Sequence, residues 1–139
     1  MSLSRELAAA AGRHAIVTVS GVPVVFASMS GGGTTVEWEV DDSAGAPELR
    51  MGAVRYEPIV LSTPLSPYRD LEWLRRVKRR VGGGPFTVAR QWTDANWAPV
   101  GAPEIYPGCV LIGVSNPESA DSADDAVFTL TFATTGEAL

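Results

Sequence analysis

Apolar and polar residues alternate with period two along much of the chain. VEWEV sets Val36, Trp38 and Val40 on one face and Glu37 and Glu39 on the other. VFTLTF sets Phe128, Leu130 and Phe132 against Thr129 and Thr131, and FTVARQW repeats the pattern with Phe86, Val88 and Trp92. Such alternation predicts strands with one buried face and places Trp38 and Trp92 on core faces. HAIVTV and VPVVFASM, joined by Ser20-Gly21, predict a first hairpin. RYEPIVLST predicts a further strand, interrupted by Pro58, which has no N–H to donate and so belongs at an edge or a bulge. Ile105 to Val114 is more continuously apolar, which predicts burial on both faces, inside the fold or at a subunit contact.

One segment has helical spacing instead, SPYRDLEWLRRVKRRVGGG, at 66–84. Ser66 suits an N-cap and Pro67 the first helical position. Leu71, Leu74, Val77 and Val81 form an apolar stripe with Trp73 beside it. Asp70 and Glu72 come early and the arginines late, which matches the helix dipole. Gly82 to Gly84 stop the helix and Pro85 prevents its continuation, so it spans about 66–81. Between the strands lie a flexible turn at Ser30 to Gly33, a long polar loop at 41–52 (DDSAGAPELRMG) and an acidic turn at 116–125 (NPESADSADD). Leu7 to Ala11 allows a helical turn, so 1–13 is read as an N-terminal arm or short helix. The remainder, 14–139, is read as a single mainly β domain. It is a small β-sandwich or partly closed β-barrel of about seven strands, flanked by the one helix.

Composition narrows the chemistry. The 139 residues are 45% hydrophobic and 8% aromatic, which suits one globular domain. No run of eighteen apolar residues occurs, so no membrane insertion is expected. The N-terminus lacks a signal-peptide layout, which predicts a cytosolic product. Cys109 and His14 are the only residues of their kinds. An internal disulfide is thereby excluded and a zinc site is not expected. A catalytic Cys109 would need His14 as its base, but Cys109 sits between Pro107-Gly108 and Val110-Leu111-Ile112, the setting of a buried structural cysteine. SGGGTT lacks the lysine of a phosphate loop, and RRVGGGPF runs helix, glycines, strand, the reverse of a phosphate cradle. Glu37, Glu39 and Asp41 share a strand face. Acid–base catalysis wants two carboxylates across a cleft; a row of three reads as a solvated face or a functional acidic surface. The sequence therefore predicts no enzyme, no metal and no cofactor. Trp97, in TDANWAPVG, is the one tryptophan read as a contact residue.

Charge is divided unevenly. Arg69 to Arg80 holds six basic and two acidic residues, net +4; the rest holds five basic and fourteen acidic, net −9, giving −5 overall. An acidic body argues against general nucleic-acid affinity, which draws on phosphate neutralisation. On a helical wheel Arg75, Arg76, Arg79 and Arg80 lie opposite the apolar stripe, with Glu72 placed to pair with Arg75 or Arg76. A membrane-surface helix needs a free apolar face, and here that face is required to cover the sheet. The arginines are expected to face solvent or another protein chain.

Several segments in order carry a resemblance: the Ser-Gly turn, the acidic strand with its long polar loop, IVLSTPLS, DLEWLRRV, FTVARQW, WAPVGAPEIYPGCVLIGVSNP and AVFTLTFATTG. Over roughly Val22 to Gly136 the chain resembles the tail tube proteins of phages and of phage-derived contractile injection systems, to which the type VI secretion tube protein is related. The resemblance implies a structural subunit, six copies forming a ring and rings stacking into a hollow tube that conducts DNA or effectors. It implies that loop 41–52, with Asp41, Asp42, Glu48 and Arg50, reaches a neighbouring ring. Glu37, Glu39 and Asp41 would help form an anionic lumen past which DNA slides without specific binding. Arg75, Arg76, Arg79 and Arg80 would meet a neighbouring subunit or a sheath. The implied partners are further copies, then sheath, baseplate, tape-measure and terminator proteins; the implied location is the virion tail tube, assembled in the bacterial host cytoplasm. Residues 1–13 match nothing in the family pattern. Two alternatives stand beside this reading: a tail completion or terminator protein that makes one ring and stops, and a small ligand-binding β-barrel with Trp97 at its mouth.

Overall fold

The computed structural model describes residues 14–115 and 126–138. Eight strands and one helix follow in the order β1 (His14–Val19), β2 (Ser28–Ser30), β3 (Thr34–Asp41), β4 (Glu48–Tyr56), β5 (Ile59–Pro64), α1 (Pro67–Lys78), β6 (Phe86–Thr93), β7 (Glu104–Val114) and β8 (Val127–Ala133). Six of the strands form one antiparallel sheet in the order β1-β6-β7-β8-β5-β2, and β3 pairs only with β4. The sheet curls until its two ends nearly meet, where the Phe26 N–H donates to the Val17 carbonyl at 2.9 Å. This makes a partly closed barrel, as the alternation pattern predicts.

The first hairpin differs from expectation. Only the Val17–Phe26 bridge joins the second run to β1; the chain then leaves it, and Ser28–Ser30 pairs with β5. On the turn side of that bridge Pro23 has no N–H to give, and the Val22 N–H closes back on the Val19 carbonyl at 3.1 Å. Closing the barrel removes an otherwise open edge. RYEPIVLST is also two strands rather than one. Arg55 and Tyr56 end β4, Ile59 opens β5, and Pro58 separates them. At that corner the chain comes so close to Gly31 that a Cβ there would lie 1.8 Å from the Pro58 carbonyl oxygen, and Gly31 holds a φ of +82°. Only glycine fits such a position.

Inward residues fill the barrel. Phe26, Phe86, Phe128, Phe132, Ile59 and Leu130 are among the fully buried side chains. Phe128 meets Phe26 and Trp73 edge-on, at 6.0 Å and 5.3 Å between ring centroids. Filling of this kind leaves the interior to side chains, which speaks against the ligand-binding alternative. Ile105, Val110 and Ile112 point outward and are exposed, so β7 is not buried on both faces within one chain.

The helix covers one end of the barrel, carrying the chain from β5 across to β6. Trp73, Leu74 and Val77 are buried, while Leu71 and Val81 are more than 40% exposed. The apolar stripe is therefore shorter than the wheel suggests: Val81 follows the end of the helix, and the buried face is centred on Asp70, Trp73, Leu74 and Val77. Gly82, at φ +86°, takes the left-handed turn after the helix and donates its N–H to the Leu111 carbonyl.

Asp70 is fully buried. Its carboxylate accepts hydrogen bonds from the Ser66 backbone N–H at 2.8 Å, from Trp73 Nε1 at 3.0 Å and from the Arg69 guanidinium at 2.6 Å and 2.9 Å. It ties the helix entry to the core. The Arg69 hydrogen bonds hold its pKa down, from 3.8 to about 2, against the opposing effect of burial. A depressed carboxylate stabilises the fold above its unfolded pKa and loses that effect as pH falls through the folded value. Asp70→Asn is expected to cost about 2 kcal/mol at neutral pH, and the gap to wild type should narrow to under about 1 kcal/mol near pH 2. Urea unfolding of both proteins from pH 7 to pH 2 measures this; a gap that stays constant with pH would remove Asp70 ionisation from the account.

Candidate assembly interface

The hairpin β3–β4 stands apart from the barrel. Its base is held by the Gly32 N–H on the Glu57 carbonyl at 3.2 Å and the Glu57 N–H on the Gly33 carbonyl at 2.9 Å. At a rise of about 3.3 Å per residue, the eight residues of β3 extend roughly 25 Å. Both outer edges are unpaired among the described residues. A lone two-stranded hairpin is at best marginally stable in water, and open edges invite another chain.

One face is apolar. Val36 sits across from Val54, Trp38 from Met51 and Val40 from Leu49, with Tyr56 at the base. All seven side chains are exposed, from 40% at Val36 to 65% at Trp38. Trp38 is thus not a core residue: alternation reveals that a face is to be covered but not by what. The register shift between Val36 and Trp38 keeps this face continuous, because the bulge places Gly52 over Glu37, where a Cβ would come within 3.2 Å of the Glu37 Cβ.

The opposite face is charged and carries Glu37, Glu39, Asp41, Glu48, Arg50 and Arg55. Asp41 and Arg50 pair at 2.5 Å, and Glu37 pairs with Arg55, whose Nε lies 2.5 Å from Oε1. Glu39 sits across from Arg50 and Glu48 across from Asp41. Hydrogen bonds from the Ser43 hydroxyl and N–H, at 2.7 Å and 3.0 Å, together with Arg50, hold the Asp41 carboxyl below its usual range. The face is acidic but interleaved with arginines, not a bare row of carboxylates. The polar loop read at 41–52 is half strand: Asp41 ends β3, Glu48 to Gly52 belong to β4, and 42–47 form the turn. ELRM looks polar because one face of β4 is charged, yet it pairs residue by residue with β3.

The basic helix residues lie elsewhere. Arg75, Arg76 and Arg79 are exposed, and no ion pair joins Glu72 to Arg75 or Arg76 among the described residues. Arg80 is exposed as well, but its guanidinium carbon lies 4.2 Å from the centroid of the Phe86 ring, so one face of it is already engaged within the chain.

Sequence reading missed a network at the barrel end away from the helix. Arg90 on β6 and Glu104 on β7 pair at 2.7 Å, and Glu104 also accepts from Trp92 Nε1 and from the Tyr106 hydroxyl at 3.2 Å. The Arg90 hydrogen bond lowers the Glu104 pKa, and burial raises that of Tyr106. Trp92 is thus a partly buried bridging residue. Trp97 adopts φ +63° and stacks on His14, ring centroids 4.4 Å apart, so its exposed ring already has a partner. Cys109 is buried against the Tyr106 carbonyl, burial pushes its thiol pKa up, and β6 separates it from His14: Cys109 pairs with Phe86 and His14 with Thr93. Leu7 to Ala11 and the acidic turn at 116–125 lie outside the described residues.

No protein-family model and no curated protein matches the sequence. Solved structures do match the fold. A chain of the sheath–tube complex of the PVC extracellular contractile injection system, in the extended state, is 16% identical over 90% of this chain and 86% of its own, with a TM-score of 0.73. A chain of the anti-feeding prophage cap, described as a tube terminating cap, is 18% identical over 90% and 86%, also at 0.73. Hcp1 from Flavobacterium johnsoniae is 9% identical over 87% and 89%, at 0.52. The partly closed barrel with one helix is thus the fold found in contractile injection system assemblies.

Proposed function

We propose that this chain is a structural tail tube subunit, six copies forming a ring and rings stacking into a hollow tube. The observation that carries the proposal is the hairpin. It extends an uncovered apolar face and two unpaired edges from a well-packed barrel, which suits a chain that folds alone but is completed by neighbouring copies. The shared fold with chains of sheath–tube and cap assemblies supports the same reading. In it, the apolar face of Trp38 and Met51 meets a neighbouring copy. The face of Glu37, Glu39 and Asp41 turns to the lumen, where a net acidic surface repels the phosphates of passing DNA. The hairpin tip, with Asp41, Asp42, Glu48 and Arg50, reaches the next ring. Sheath, baseplate, tape-measure and terminator proteins are the further partners, and the tail of a virion or injection particle is the location. No step of this function calls for catalysis.

The second reading is a terminator that forms one ring, favoured by the equal likeness to a chain of a tube-terminating cap. Negative-stain microscopy of purified protein over a concentration series separates the two. Tubes that lengthen with concentration support the tube subunit; single rings that never stack support the terminator. A monomer throughout contradicts both.

A further inference from the structure

The outer face of the barrel sheet carries no charge over its middle strands. On β7 the outward residues are Ile105, Val110 and Ile112, all exposed. On β8 Thr129, Thr131 and Ala133 alternate with the buried residues, and on β5 Val60 and Ser62 do the same. Strand pairing carries the face sideways, to Ala89 beside Ile105 and to Ser28 and Ser30 beside Ser62 and Val60. None of these positions holds Asp, Glu, Lys or Arg, in a chain that is 19% charged. An antiparallel sheet face that stays in water is normally polar and charged, whereas the centre of a protein interface is depleted of charge.

The apolar face of the β3–β4 hairpin needs a surface of this kind. Laid on the helix exterior, Trp38 and Met51 would trap Arg75, Arg76 and Arg79; laid on the charged face of another hairpin, they would trap Glu37 and Glu39. Unpaired charge is costly to remove from water, and the uncharged sheet face exacts no such cost. The dimensions agree as well. The eight residues of β3 and the eight from Ile105 to Ile112 both extend about 25 Å, and strands about 4.8 Å apart let a two-stranded ribbon fit on the three strands β7, β8 and β5 as one sheet packs on another. In the single chain both faces are exposed. The base of the hairpin is packed tightly, with a Cβ at Gly136 only 2.8 Å from the Tyr56 ring and one at Gly31 only 1.8 Å from the Pro58 carbonyl oxygen, which holds the hairpin off its own sheet.

We infer that the apolar face of one copy's hairpin, centred on Trp38 and Met51, lies across the β7–β8–β5 face of a neighbouring copy, centred on Val110 and Ile112. The inference rests on the tube reading, for which it names the surface that receives the hairpin. The contact is heterologous: each copy offers its hairpin to one neighbour and its sheet face to another, which is how a ring closes.

Two proteins test it. One carries Val110→Lys and Ile112→Lys; the other carries Trp38→Glu and Met51→Glu. Both change exposed side chains and should melt as wild type does, read by circular dichroism. If the lysine pair lowers the melting point, Ile112→Lys alone, at the most exposed of the three β7 residues, takes its place. Each protein alone is expected to need at least about a hundredfold more material to assemble than wild type, read by sedimentation velocity. Mixed in equal amounts they should assemble again, because the glutamates of one protein's hairpin meet the lysines of the other's sheet and the alternate contacts are wild type. A hairpin lying on its own sheet predicts no rescue on mixing. Cross-linking gives a second readout: a Met51→Cys protein and an Ile112→Cys protein, mixed and treated with a short bismaleimide, should give the mixed dimer in excess over either homodimer, Cys109 being buried. Failure of rescue, or no preference for the mixed dimer, overturns the inference. Assembly of the lysine protein at the wild-type concentration, with the glutamate protein unassembled, overturns it while leaving the tube reading intact. Wild type that never assembles removes the tube reading and the inference with it.

Discussion

Replacing Trp38 and Met51 together by glutamate abolishes assembly while leaving the barrel folded. Both side chains lie on the apolar face of the hairpin, 65% and 62% exposed, and touch no part of the core. The monomer should therefore melt within about 2 °C of wild type, the usual range for surface changes. Assembly is different. Covering a tryptophan and a methionine contributes about 2 kcal/mol each. Burying a carboxylate in their place costs several kcal/mol unless it finds a partner. A loss of about 5 kcal/mol or more per contact raises the required concentration by over about a thousandfold. Sedimentation velocity, with circular dichroism melting as the fold control, reads both quantities. Assembly at the wild-type concentration would show that this face stays in solvent and that the hairpin serves another purpose.

Phe128→Ala is expected to cost about 3–5 kcal/mol, the most of any single change considered. Phe128 is fully buried on β8, with Phe26 and Trp73 packed edge-on against it. Its removal leaves a cavity between the barrel and the helix that the closed sheet cannot collapse to fill. Domains of this size have about 5–15 kcal/mol in all, so much of the stability goes with it. The neighbouring Val127, half exposed, is the control: Val127→Ala should stay within about 0.5 kcal/mol of wild type. Urea unfolding measures both. A loss below about 1 kcal/mol for Phe128→Ala would mean that the barrel interior is not packed around this ring.

Much of the fold is legible because its signals are local. Alternation in FTVARQW and VFTLTF marks strands whose inward residues, Phe86, Val88, Phe128, Leu130 and Phe132, are all buried. Ser66, Pro67 and the glycines after Arg80 bound the helix closely. What escapes reading depends on contacts between segments distant in sequence. Val36, Trp38 and Val40 alternate just as a core strand does, and nothing within VEWEV distinguishes a face covered by the chain's own core from one left for another copy. The ELRM stretch reads as loop because its pairing with β3 is not written in its composition. Arg90 and Glu104 are fourteen positions apart and become partners only through the pairing of β6 with β7. Asp70 was within reach: a carboxylate four residues after an N-cap serine and three before a tryptophan has the spacing to serve both, and it does.

The central claim is that the β3–β4 hairpin is an interface between copies of this chain. Cryo-electron microscopy of the assembled protein tests it most directly. The account predicts a hollow tube of stacked rings in which a neighbouring copy covers Trp38, Met51 and Leu49, with Glu37 and Glu39 facing the lumen. Rings or tubes in which the hairpin projects uncovered into solvent would contradict it.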